Sequence, residues 1–253
     1  MLRAAGIGPD SKVALYGYNS NEYLEVQFGV FKARGVPVNV NYRYVEHELL
    51  YLLDNADAEA VVFDAQFAPR LAAIRDRLPE LRLFLQIDDG SGEHLPGAVD
   101  FEGAVASGER LAPEAHSEDD IYMLYTGGTT GMPKGVMYRQ GDFISGLVRS
   151  VARIGPDSPL TAENLTAAIR ALEAAHALPV SLAACPLMHG TGLWLGVFAA
   201  HFVGGTALTS RDSHFDPDVL FRLVAKERAT SVVIVGDAFA KPMLAALRRA
   251  AAA

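Results

Sequence analysis

Nine residues from Thr126 to Lys134, TGGTTGMPK, bring together three glycines, three threonines and a lysine. Gly127, Gly128 and Gly131 let the backbone turn its N–H groups inward, and the hydroxyls of Thr126, Thr129 and Thr130 add further donors. Such a nest suits anionic oxygens, and Lys134 supplies the charge that a neutral nest lacks. The common nucleotide loop is written differently, with its lysine directly before a hydroxyl residue at a helix N-terminus. In this chain Lys134 follows Pro133 and precedes Gly135. The flanks IYMLYT (121–126) and KGVMYR (134–139) are rich in aromatic and aliphatic residues, so the loop is expected to join two strands rather than a strand and a helix. A Gly/Thr-rich hairpin turn beside a solvated lysine would account for GGTTG alone, but the full run TGGTTGMPKG weighs against it.

A second group lies in ACPLMHGTGLWLG (184–196), where His189 and the chain's one tryptophan, Trp194, sit in an apolar, glycine-rich run. A lone histidine in such a run is often a satisfied core residue. Trp194 is read either as core or as lining of an apolar pocket. His176, His201 and His214 are read as structural or surface residues.

The bulk composition narrows the function classes. The chain has 253 residues, half of them hydrophobic, and 22 basic against 30 acidic side chains give a net charge of −8. No general positive field attracts nucleic acid or an anionic membrane, so an anionic ligand needs a local site. Cys185 is the single cysteine, which excludes an internal disulfide, and with no apolar signal segment at the start a reducing cytoplasm is expected. The apolar stretch 190–208 carries five glycines and a central His201, and it is read as a buried helix, a turn and a strand rather than a membrane span.

The elements that must position these residues alternate. KVALYGY (12–18) reads as a strand, and Asn19 with Glu22 resembles a capping box that opens a helix closed by Gly35. VPVNV (36–40) reads as a strand, 42–56 contains a helix, a strand starts at Ala58, 67–78 reads as helix and 81–87 as strand. This alternation implies an α/β fold with a layered parallel sheet and right-handed crossovers. Residues 88–120, rich in Gly, Pro, Ser and acid, read as loop; 142–153 and a short run within 155–177 read as helix. Asp216 and Pro217 open a further helix that runs to Arg228, and TSVVIVGD (230–237) reads as a buried strand before a last helix.

TGGTTGMPKG matches every defined position of the signature loop of the AMP-forming adenylating superfamily, which includes acyl-CoA synthetases, luciferases and the adenylation domains of peptide synthetases. The early βαβ region with its N-x-R turn, and ACPLMHGTG (184–192), also resemble that family in order and content. The resemblance implies that Thr126, Gly127, Gly128, Thr129, Thr130, Gly131 and Lys134 hold the phosphates of ATP, with Lys134 and Thr126 acting in catalysis. It implies further that His189, Gly192 and Trp194 border the acyl pocket. In the implied reaction a carboxylate attacks the α-phosphorus of Mg-ATP, and the thiol of coenzyme A then displaces AMP. Peptide-synthetase domains place an aspartate in the second motif, whereas HGTGLWLG (189–196) has no acid, so an uncharged acyl chain is expected. Gly190, Gly192 and Gly196 are expected to leave room for it. A fatty, aryl or sterol-derived acid all fit, and the oligomeric state stays open.

The resemblance covers the large N-terminal domain of such an enzyme, divided as 1–87, a first α/β block; 88–120, a loop; and 121–253, the phosphate loop, the acyl-pocket motif and the start of a second α/β block. The family's adenine-binding segment, T-E pair, ribose aspartate and small C-terminal domain have no counterpart in this sequence. It is therefore read as an N-terminal piece of an acyl-CoA synthetase, with most magnesium ligands elsewhere; a non-catalytic nucleotide- or acyl-binding module is the alternative. The 253 residues by themselves are expected to show no carboxylate-dependent exchange of pyrophosphate into ATP above a Lys134→Ala control, and exchange above that control would contradict the reading.

Overall fold

Val36–Asn39 and Ala58–Asp64 are mostly apolar and almost wholly buried, as strands covered on both faces of a parallel sheet are. A computed structural model describes residues 1–112, 114–127, 131–151, 160–161, 163–211 and 214–252, and within these the chain divides into two units, Met1–Phe143 and Ile144–Ala253. Gly128, Thr129 and Thr130 of the loop lie outside the described residues.

In the first unit β1 (Lys12–Tyr16), β2 (Val36–Asn39), β3 (Ala58–Asp64), β4 (Leu83–Ile87), β5 (Val99–Asp100), β6 (Ile121–Thr126) and β7 (Lys134–Arg139) form one sheet in the order β5-β4-β3-β1-β2-β6-β7. All neighbours are parallel except β6 and β7, an antiparallel hairpin. The helices α1 (Asn21–Lys32), α2 (Glu46–Asn55), α3 (Ala68–Ile74) and α4 (Phe101–Ala106) make the crossovers. The chain steps from β1 to β2 in one direction and from β2 back past β1 to β3 in the other. Right-handed connections therefore put α1 and α2 on opposite faces of the sheet. Leu49, Leu52 and Leu53 of α2 and Leu71 and Ile74 of α3 pack with Ala14, Tyr16, Val38, Val61 and Phe63 in one core.

Several local signals resolve differently from their sequence reading. The α1 cap is Ser20, whose hydroxyl accepts from the Tyr23 N–H at 3.0 Å, one residue beyond the expected Asn19. The helix ends in a Schellman turn: Arg34 N–H donates to Phe31 and Gly35 N–H to Val30, and the left-handed residue is Arg34, φ 61°, not Gly35. Gly35 is needed for closeness instead, since a Cβ there would lie 3.0 Å from Val30 and 3.1 Å from the Ser11 carbonyl oxygen. The stretch expected as loop, 88–120, contains β5 and α4, the latter capped by Asp100 through the Gly103 N–H.

In the second unit α5 (Gln140–Val151), which starts at the end of the first, is followed by α6 (Leu165–Ala174), β8 (Val180–Ala183), a π-helix (Thr191–Phe198) and α7 (Ala199–Phe202). β9 (Thr206–Leu208), α8 (Pro217–Glu227), β10 (Ser231–Val233) and α9 (Asp237–Ala251) complete it. β8 lies between β10 and β9 in a parallel three-stranded sheet. Asp216 caps α8 as expected, through the N–H groups of Asp218 and Val219. β10 is shorter and more exposed than a buried strand, because it sits at an edge of the sheet with β8 on one side. No described helix is long and apolar enough to cross a membrane.

One ion pair ties the first helix to the strand that leads into the loop. Arg34 donates from Nε and Nη2 to both carboxylate oxygens of Asp120, at 2.9 and 2.8 Å. This guanidinium, chiefly, holds the Asp120 carboxyl below the usual carboxylate range. A carboxyl whose native value is lowered contributes stability above its unfolded value, and the contribution is lost as pH falls through the native value. Asp120→Asn is thus expected to lower the urea midpoint at pH 7, with the difference from wild type narrowing once pH drops below about 4.

Candidate functional site

β6 is apolar through Tyr122, Met123, Leu124 and Tyr125, all buried, and turns exposed at Thr126. Its register with β7 pairs Ile121 with Arg139, Tyr125 with Gly135 and Thr126 with Lys134. Thr126 and Lys134 thus face each other on the last rung of the hairpin, where opposed Cβ atoms lie about 4.5–5.5 Å apart. Both are exposed, and the loop opens directly beyond them. Among the described residues, no atom beyond their chain neighbours lies within 4 Å of where a Cβ would stand on Gly127 or Gly131, at the two ends of the loop. The hairpin therefore presents a hydroxyl, an ammonium and two unhindered backbone segments at one end, between two strands as the sequence implied.

The residues that fix this end were not singled out by sequence. Asn39, the last residue of β2 and 9% exposed, accepts from the Tyr125 N–H at 2.6 Å and donates to the Tyr125 carbonyl at 3.1 Å. The Tyr125 hydroxyl donates to Asn55 at the end of α2, at 2.8 Å. Burial first, then the neighbouring Tyr51 and Asp57, push that hydroxyl up to about 12, so it remains a donor. Gly135 makes room for the Tyr125 ring: a Cβ at this position would lie 2.9 Å from it. At the other end of the hairpin, Arg139 pairs with Asp119, and the Gln140 N–H donates to the Asp120 carbonyl at 2.8 Å. A polar residue inside the apolar run VPVNV was the available signal for Asn39, but its partner is 86 residues away in sequence.

His189, Gly192 and Trp194 belong to the second unit. The segment carrying them leaves the carboxyl end of β8, the end at which open α/β sheets place ligands. His189 is exposed, and its N–H donates to the Pro186 carbonyl at 3.1 Å. Its own carbonyl accepts from Leu193 at 3.1 Å as the π-helix begins. Within that helix the Trp194 carbonyl accepts from Ala199, five residues on, and Trp194 is half-buried. π-Helical turns are rare and concentrate at functional sites. The expected room beside two of the glycines is filled by the chain itself. A Cβ on Gly192 would stand 2.5 Å from the Pro186 carbonyl oxygen, and one on Gly196 would stand 2.8 Å from the Ala183 side chain. These glycines let the π-helix close on β8 and on the turn before it.

Burial raises the Cys185 thiol to about 11, which leaves it protonated, and lowers the value of His201. Among the described residues no three His, Cys, Asp or Glu side chains converge on a common point. The donor set at the hairpin, amides with a hydroxyl and an ammonium, suits anionic oxygen and not a cation.

The sequence matches the family described as AMP-binding enzyme over residues 1–253. It is 41% identical over 242 residues to the medium-chain acyl-CoA ligase Mig of Mycobacterium avium, an alignment that takes in 94% of this chain and 43% of that protein. It is 36% identical over 253 residues to a medium/long-chain fatty acid–CoA/3-oxocholest-4-en-26-oate–CoA ligase of Mycolicibacterium smegmatis, covering 96% of this chain and 43% of the relative. The fold is similar to that of an anthranilate CoA ligase crystallised with anthranoyl-AMP, with a TM-score of 0.76, 19% identity, and coverage of 91% of this chain and 41% of the other. The chain thus spans less than half the length of these relatives.

Because the Tyr125 ring fills the place of a side chain at position 135, Gly135→Val is expected to destabilise the first unit by about 1–3 kcal/mol, read as a lower urea midpoint.

Proposed function

The chain belongs to the AMP-binding enzyme family, and from that premise we propose that it supplies the phosphate grip and the acyl-side lining of an AMP-forming acyl-CoA ligase. The observation that carries the reading is the last rung of the β6–β7 hairpin. There Thr126 and Lys134 face each other, with Gly127 and Gly131 open beyond them.

On this reading the amides of the loop and the Thr126 hydroxyl hold triphosphate oxygens, and Gly128, Thr129 and Thr130 complete the grip. Lys134 offsets the charge of the phosphates. The carboxylate oxygen of the acid forms a bond to the α-phosphorus of ATP, and the bond to pyrophosphate breaks. In the second half the sulfur of coenzyme A bonds to the acyl carbon, the thiol proton is lost, and AMP leaves. Neither half needs a nucleophilic side chain; positioning and charge stabilisation dominate. Magnesium, where bound, would neutralise phosphate charge, and no side chain of this chain is assigned to it.

His189, Gly192 and Trp194 border the acyl group. The run His189–Phe198 contains no acidic residue to pair with a substrate ammonium, and a buried unpaired charge would cost several kcal/mol. The substrate is therefore an acid with an uncharged body. Relatives are named for medium- and long-chain acyl groups and a sterol-derived acid, which supports this class. The single, buried Cys185 suits a reducing cytoplasm.

The phosphate grip is tested by titrating ATP into the 253-residue chain in a calorimeter. Tripolyphosphate should displace ATP, and adenosine should not. Lys134→Ala should weaken binding roughly 10- to 100-fold, the worth of one charge-assisted contact. Displacement by adenosine as readily as by tripolyphosphate would remove the loop from the reading.

A further inference from the structure

We propose that Asn39 is the positioning residue of the phosphate loop, acting through the peptide groups of Tyr125 to set the direction in which the chain leaves β6 from Thr126 into Gly127. The inference rests on the triphosphate reading of the loop and names what aims it.

The parallel pairing of β2 with β6 is anchored at Val38 and Met123. At the next position along β6 that needs a partner, the Asn39 carboxamide stands in for a strand. Its oxygen takes the Tyr125 N–H and its nitrogen serves the Tyr125 carbonyl. A carboxamide carries a donor and an acceptor in one plane, so it copies the edge of a peptide group. A carboxylate could take only the N–H, a hydroxyl is too short to span both, and an aliphatic side chain could serve neither. The orientation of the amide is also decided, because the reversed amide would set donor against donor and acceptor against acceptor.

Burial makes the arrangement directive. Asn39 and Tyr125 are 9% and 6% exposed, so water is a poor substitute for either hydrogen bond. Tyr125 is held at its hydroxyl by Asn55 and its ring is fitted over Gly135. The next residue, Thr126, is exposed. The chain passes from buried to exposed within one peptide, and Asn39 grips the last buried one.

The test uses the 253-residue chain with Asn39→Leu, which keeps the forked shape of the side chain and removes both hydrogen bonds. Binding of tripolyphosphate is read by calorimetry, and amide hydrogen exchange is read at Tyr125, Thr126 and Gly127 and, as a global reference, at Val61 and Val62 in β3. The expected result is a rise of about tenfold in the tripolyphosphate Kd, the scale on which small displacements of a positioning group act. Protection should be lost at Tyr125 and kept in β3. If Asn39→Leu does not fold, Asn39→Ser, smaller and still polar, is read in the same way. An unchanged Kd in a folded variant, or loss of protection in β3 equal to that at Tyr125, overturns the positioning role and leaves the triphosphate reading standing. Absence of tripolyphosphate binding by the wild-type chain overturns both.

Discussion

The β6–β7 hairpin joins the large sheet through β2, and the loop it carries can be no better placed than that one seam. Three attachments run along it. Arg34, held in a left-handed conformation at the end of α1, grips Asp120 with both arms of its guanidinium. Val38 pairs with Met123 in the ladder, and Asn39 takes both polar groups of the Tyr125 peptide. The order along the seam moves from an ion pair at the partly exposed base to a neutral amide in the buried end. That gradation suits the surroundings, because a carboxylate or guanidinium enclosed beside Tyr125 would bring a desolvation cost that an amide avoids. Each hydrogen bond contributes only about 1 kcal/mol net, but an unpaired peptide group at this depth costs about 1–3 kcal/mol. The seam therefore resists slipping more strongly than its few contacts suggest.

The second unit solves a different problem with glycine. Its π-helix lies against a sheet of only three strands, and two of its glycines are in contact with the turn after β8 and with Ala183. A side chain at either place would push the helix away and carry Leu193 and Val197, both buried, out of the core. What looks in the sequence like space left for a ligand is space used for packing. His189 and Trp194 keep their positions because the helix behind them sits close.

Much of this was legible in the sequence. The hairpin flanks of the loop follow from two runs of β-forming residues, and the α/β order follows from strands and helices that alternate. Both are local or periodic signals, and the family signature from Thr126 to Gly135 is contiguous. The errors cluster where a residue type has more than one use. Gly35 looked like a helix stop and serves close packing, while Arg34 takes the left-handed position of the Schellman turn and ties its side chain to Asp120. Asn19 looked like a cap, and Ser20 is the one whose hydroxyl meets the Tyr23 N–H. The helix α4 was hidden by a composition rich in turn formers on both sides of it.

By itself the sequence determined the chemistry on offer and the layered fold that offers it, since residue types, spacing and hydrophobic period are written along the chain. Only the tertiary structure decided which groups hold the loop in place. Asn39 and Tyr125, like Arg34 and Asp120, are separated by 86 residues. No local pattern marks such a pair; it exists because parallel pairing of β2 with β6 brings two distant peptides to the depth where a carboxamide can serve both.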